Sequence, residues 1–195
     1  MMSTLPALGS SDSLPESAPA GGGEAELIRA TLAGDARAFE QLVRQHSARV
    51  YNFIHQMTRQ HQDAEDLTQQ TFIKAYHSLA RFEPHRPLIN WILTIARNNT
   101  LNHFRAARRW EEIPYDATSA EPSPARTAET REQSENLWAR ARAVLSRREF
   151  EILWLRFGEE LSTEETARVV GLTQTHVKVL VFRARRTLLK GEPRP

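Results

Sequence analysis

Apolar residues recur along most of this chain at steps of three and four. Phe39, Leu42, Val43, His46, Val50, Phe53, Ile54 and Met57 form one such series, the spacing of a helix with one face turned to a core. "AGD" at 33 to 35 separates it from a shorter helix that starts at Glu24, with Gly34 as a stop and Asp35 as a cap. A third helix is expected from about Asp63, capped by that residue, through Leu67, Phe72, Ala75, Tyr76 and Leu79. Pro84 and Pro87 end that element and open the next. From about Asn136 to Lys190 a second helical block follows, in which Ser146 with Glu149 and Ser162 with Glu165 have the spacing of capping boxes. No stretch alternates with the period of a strand.

The expected fold is therefore all-α: two small helical domains, an N-terminal helical bundle (24–110) and a C-terminal helix-turn-helix (136–190), joined by a flexible linker. Residues 1–23, rich in Ser, Pro, Ala and Gly, read as a disordered tail, and 191–195 as a short second tail. Residues 111–135 carry three prolines and seven acids, with little periodicity, and read as an acidic tether. The two blocks differ in length and pattern, so no internal repeat is present.

Composition narrows the function. A hydrophobic share of 40% and a charged share of 26% fit a globular chain, and no apolar run approaches bilayer length. The first 23 residues lack the basic and apolar blocks of a signal peptide, which points to a cytoplasmic protein. With no cysteine there is no disulfide framework and no thiolate metal site. The seven histidines are scattered, and the pair His61 and Glu65 lacks a third ligand. No phosphate loop or nucleophile elbow occurs either, so no enzyme chemistry, cofactor, metal or small-molecule substrate is expected. The formal charge is only +2, so any affinity for nucleic acid must come from where the cations sit.

They sit in two places. In "STEETARVVGLTQTHVKVLVFRARRTLLK" a helix led by Ser162 packs Ala167 and Val170 inward, Gly171 permits a tight turn, and Leu172 fills the gap. Thr173 caps a second helix whose inward face is Val177, Leu180 or Val181, Ala184 and Leu188. This is a helix-turn-helix layout, whose second helix enters a major groove. Gln174, Thr175, His176, Lys178 and Val179 are left exposed, and from His176 to Lys190 there are five Lys or Arg and no acid. A plain amphipathic hairpin would share the pattern, but the small-residue turn and the basic helix together favour DNA.

The second place is "NWILTIARNNTLNHFRAARRW" at 90 to 110. At about 100° per residue, Ile92, Leu93, Ala96, Thr100, Phe104 and Ala107 share one side. Trp91, Thr94, Asn98, Asn102, Arg105 and Arg109 share the other, with Arg108 beside them. Asparagine is a mediocre helix former, and its amide offers both donor and acceptor to a base edge. Arginine meets phosphate, and an indole gives a base something to stack on. A merely solvated face explains Trp91 well enough; the amides followed by arginines point to nucleic acid.

"DAEDLTQQTFIKAYHSLARF" followed by "NWILTIARNNTLNHFRAARR" resembles the second conserved region of bacterial RNA polymerase sigma factors. "LSRREFEILWLRFGEELSTEETARVVGLTQTHVKVLVFRARRTL" is similar to their fourth region. Two such regions with a short linker and no third domain resemble the extracytoplasmic-function group. The resemblance implies a promoter-specificity subunit whose partners are core RNA polymerase (the β′ clamp helices and the β flap), promoter DNA and an anti-sigma protein, commonly membrane-bound, which would hold the chain at the inner membrane. It implies that Asp63, Glu65, Asp66, Gln69, Gln70, Phe72 and Ile73 dock on the clamp helices; many members carry an acid where Gln70 stands. It implies that Phe82, Arg86 in its loop, Trp91, Asn98, Asn102, Arg105, Arg108 and Arg109 serve the −10 element, where a non-template base is flipped from the stack. Flipping costs a few kcal/mol, which stacking of roughly 1–3 kcal/mol per base and edge hydrogen bonds can offset. The loop "EPHRPLIN" departs from the glycine and small polar residues common in the family. Thr175, His176, Lys178, Val179, Phe182 and Arg183 would face the −35 element, with Val179 and Leu180 standing where relatives commonly have a small polar residue and an arginine. The linker would thread toward the polymerase active-site cleft. A stand-alone helix-turn-helix regulator is the competing function; it leaves the Asn98 and Asn102 row without a role.

Overall fold

A computed structural model describes residues 20–110 and 137–190, with side chains from 23 to 107 and from 137 to 190. The expected linker at 111–135 lies outside them, as do most of the N-terminal tail and the last five residues. Eight α-helices are present among the described residues, and no strand: α1 (Ala20–Leu32), α2 (Ala36–Thr58), α3 (His61–Ser78), α4 (Leu88–Trp110), α5 (137–144), α6 (Arg147–Leu153), α7 (Thr163–Val170) and α8 (Gln174–Lys190). None is long and apolar enough to cross a membrane.

The local signals act as expected at most boundaries. Gly34 has φ 98°, a value that costs glycine little, and Asp35 accepts from the backbone of Arg37 and Ala38. Ser146 with Glu149 and Ser162 with Glu165 form complete capping boxes. Three boundaries differ. α1 begins at Ala20, ahead of Glu24 and through the glycine run. α3 begins at His61 behind Gln60, so Asp63 falls inside its first turn and bonds His103 of α4 at 3.1 Å instead of capping. Between α6 and α7 the chain makes a π-helical turn, Trp154–Gly158, which buries Leu155 and leaves Trp154 half-buried.

α1 to α4 enclose Leu42, Val50, Phe53, Ile54, Leu88, Ile92 and Leu93, all nearly inaccessible. α5 to α8 enclose Ile152, Leu155, Val169, Val177 and Ala184. The two bundles are not separate bodies. α4 packs on α7, and the buried residues of the first bundle run without a break into Ile152, Leu155, Leu161, Ala167 and Val170 of the second. Met57 of α2 touches both apolar clusters.

Candidate nucleic-acid interface

α4 has three faces rather than two. Ile92, Leu93, Ala96 and Thr100 turn to the core as expected. Asn98, Asn102 and Arg105 are exposed, and Arg105 donates to Asn102 Oδ1 at 2.9 Å. Trp91 is half-buried on the same side, against Phe82 with ring centroids 5.6 Å apart. Arg108 and Arg109 lie in the helix, but their side chains are outside the description. Phe82 departs from expectation: it is 8% exposed and belongs to the core. The 3₁₀ turn Leu79–Arg81 causes this, closing with a bond from Phe82 N–H to Leu79 O that tucks the ring beneath Trp91. Arg86 is exposed in the loop, paired with Glu83 at 2.9 Å.

The third face meets the C-terminal bundle. Asn90, Arg97 and Phe104 recur at seven-residue steps, on a line between the core and the amide row. Asn90 Nδ2 donates to Glu165 Oε1 at 2.8 Å. Arg97 Nε donates to Glu151 Oε1 at 2.6 Å, with the side chains 15% and 7% exposed. The Arg147 guanidinium lies 3.7 Å from the centre of the Phe104 ring, a cation–π contact. From α2, Arg49 bonds both the carboxylate and the carbonyl of Glu159, whose other oxygen accepts from Trp154 Nε1 at 3.1 Å. Arg142 of α5 donates to Gln56 and lies over Phe150. Burial, aided by Arg59, pulls its guanidinium down to about 10, and no carboxylate pairs with it among the described residues. Burial also raises the Glu151 carboxyl against the pull of Arg97, so this pair is held at a desolvation cost.

On α8 the small-residue turn is as expected: Gly171 has φ 67°, and Thr173 Oγ1 accepts from His176 N–H at 3.2 Å. Val177, Leu180 and Ala184 are buried, Val181 and Leu188 half-buried. Leu180 is thus a core residue and takes no part in the exposed side of α8. Thr175, His176, Lys178, Val179, Phe182 and Arg183 are all exposed along one side, Phe182 at 67%.

α3 presents Glu65, Asp66, Gln69, Gln70 and Ile73 to solvent, with Asp63 half-buried. Phe72 is 6% exposed, a core residue, because it shares the inward side with Leu67, Ala64 and Ala75. Beside this surface runs an apolar groove of about 990 Å³ between α2 and α3, lined by Phe39, Val43, Tyr51, Gln69, Ile73 and Tyr76 among others. Tyr51 was missed from sequence; its signal was the series Val43, Ser47, Tyr51 on the edge of the α2 stripe. His61 and Glu65, the only suggestive metal pair in the sequence, meet at 3.4 Å on the exposed surface.

Comparison with known proteins follows the same division. The family model for Sigma-70 region 2 matches residues 42–110, and that for Sigma-70, region 4 matches residues 137–188. The ECF RNA polymerase sigma factor BldN of Streptomyces coelicolor is 35% identical over 173 residues, 86% of this chain and 65% of BldN. The RNA polymerase sigma factor YlaC of Bacillus subtilis is 30% identical over 79% of this chain and 91% of YlaC. Among solved structures, CnrH in complex with the cytosolic domain of CnrY superposes with a TM-score of 0.62 at 25% identity, covering 86% of this chain and 96% of CnrH.

Proposed function

This chain belongs to the extracytoplasmic-function group of RNA polymerase sigma factors, and on that premise we propose how its surfaces divide the work of starting transcription. α3 and the apolar groove beside it dock on core RNA polymerase through Asp63, Glu65, Asp66, Gln69, Gln70 and Ile73. The acids and amides suit a partner helix pair bearing arginines, and the groove supplies apolar area. α8 enters the major groove of the −35 element: Lys178 and Arg183 serve phosphates or base edges, while Val179 and Phe182 offer contact to thymine methyls. Asn98 and Asn102 take the edge of a non-template base drawn out of the −10 element, with Arg105 on the adjoining phosphate and Trp91 as the stacking surface. Phe82 and Phe72 support these sites from below. The chain performs no bond chemistry in this scheme.

What carries this function is the placement of two exposed amides on the outer side of a helix that is otherwise core or interface. The −10 and −35 elements lie roughly 25 base pairs apart, about 85 Å at 3.4 Å per base pair. α4 is only about 35 Å long at 1.5 Å per residue, and α7 packs on it, so both elements are reached only after the bundles part. CnrH is seen with a cytosolic domain of CnrY; an anti-sigma protein is proposed here too, holding this chain inactive in the cytosol or, through a membrane anchor of its own, at the inner membrane.

Run-off transcription from a genomic promoter library with reconstituted polymerase tests the whole scheme. Asn98→Ala with Asn102→Ala leaves binding to core polymerase intact and impairs promoter opening. Equal loss of both would contradict base capture, and absence of any promoter-dependent transcript would return the chain to a stand-alone regulator.

A further inference from the structure

Lys74 lies on the exposed side of α3, yet its ammonium is held in one place. Nζ donates to Asn99 Oδ1 of α4 at 2.5 Å. Asn99 is 4% exposed, and its amide orientation is dictated from below. Thr71, fully buried, spends its hydroxyl proton on Leu67 O at 2.7 Å, so its oxygen can only accept. Asn99 Nδ2 donates to that oxygen at 3.0 Å, which turns the Asn99 carbonyl outward to Lys74. The chain of bonds from Leu67 through Thr71 and Asn99 thus positions a cation.

Its location is informative. Asn99 adjoins Asn98 and stands three residues before Asn102, so the Asn99 and Asn102 side chains are neighbours one turn apart. The ammonium borders the exposed amide row on its α3 side, as Asn90 and Arg97 border it on the other. Those two are already occupied by Glu165 and Glu151. Lys74 has no carboxylate within ion-pair distance among the described residues. An ammonium has three N–H donors, and one amide takes one of them. A lysine pinned by a buried amide, with its charge uncompensated, is arranged for an anion arriving from outside.

We infer that Lys74 is a phosphate-binding residue of the single-strand site: positioned by Asn99, its ammonium neutralises a backbone phosphate of the strand whose bases meet Asn98 and Asn102. This contact presupposes the strand-capturing role proposed above for α4. It adds affinity without reading sequence, because phosphates are the same at every step.

The test uses holoenzyme assembled from the full chain and core polymerase. The probes are a fluorescein-labelled fork DNA, whose duplex ends in a random-sequence single strand of about 12 nucleotides, and a blunt duplex of equal length. Affinities are measured across a salt series for the parent, Lys74→Met and Lys74→Arg. One lost phosphate contact lowers the slope of log K against log salt by about 0.7 for a single strand, or about fivefold in affinity at 0.1 M salt. That loss is expected on the fork for Lys74→Met and is restored by Lys74→Arg, with binding to core polymerase unchanged. An unchanged slope in Lys74→Met overturns the assignment, as does an equal loss on the blunt duplex. A parent holoenzyme that fails to prefer the fork refutes strand capture itself, a result separable from the other two because it needs no variant.

Discussion

Arg97 and Glu151 offer the sharpest way to ask whether the two bundles hold each other. The pair spans 54 residues of sequence, closes at 2.6 Å and is almost entirely buried. Arg97→Met retains most of the apolar stem and removes the charge. Glu151 is then left with no guanidinium at hydrogen-bond distance. Breaking a buried pair from one side costs about 3–5 kcal/mol. The lower end applies here, because burial already raises the Glu151 carboxyl and protonation limits the penalty, and because Arg147 and Arg148 lie near enough to favour the anion. A loss of about 3 kcal/mol shifts the closed-to-open ratio by roughly 150-fold, at 1.36 kcal/mol per factor of ten. The chain has no cysteine, so Gln41→Cys and Arg186→Cys, both at exposed positions, accept a donor and an acceptor dye without background. Transfer efficiency between them is expected to drop in Arg97→Met. It should recover when Glu151→Gln is added, since that change removes the unpaired charge. Equal efficiencies in parent and Arg97→Met, or a double variant as open as the single one, would refute the idea that this pair latches the domains.

Arg142→Met is expected to act in the opposite direction, keeping or tightening closure in the same dye assay, because it replaces a half-buried cation that has no carboxylate partner among the described residues by a side chain of similar reach; an opening of the domains would count against this. Glu165 is held below its ordinary carboxyl value, first by its bonds to Ser162 and then by Asn90. Its contribution is therefore present above that ordinary value and is lost as pH falls through the depressed one; thermal melts between pH 7 and 3 should show a shallower acid decline in Glu165→Gln than in the parent. Gly158→Ala would place its Cβ 2.8 Å from the Trp154 ring, which is wedged among Trp138, Phe150 and the core, so a destabilisation of about 1–3 kcal/mol is expected in denaturant unfolding. No loss there would mean that the Trp154 ring moves freely.

Much of this architecture was legible before any coordinates. Helix boundaries at Asp35, Ser146, Ser162 and Thr173 depend on side chains that bond the backbone two or three residues away, so they are written in short words of sequence. The outward placement of Asn98, Asn102 and Arg105 follows from helical periodicity alone, as does that of the exposed residues on α8. Helical spacing put Phe72 on the apolar series of α3, where it is buried, and only the resemblance gave it a docking role. The burial of Phe82 behind a 3₁₀ turn, and the pairing of Asp63 with His103 in place of a cap, depend on neighbouring elements that local pattern does not specify.

What only the tertiary structure decided is which distant polar groups meet. Arg97 sits between two faces in the sequence pattern, and nothing nearby predicts that Glu151 will claim it and give α4 a third face. Lys74 and Asn99 are 25 residues apart, and each alone reads as an ordinary solvated residue. Local order arises from bonds within one turn, whose partners the chain carries alongside them; long-range pairing depends on how helices are laid together, and that is set by the shape of the whole core.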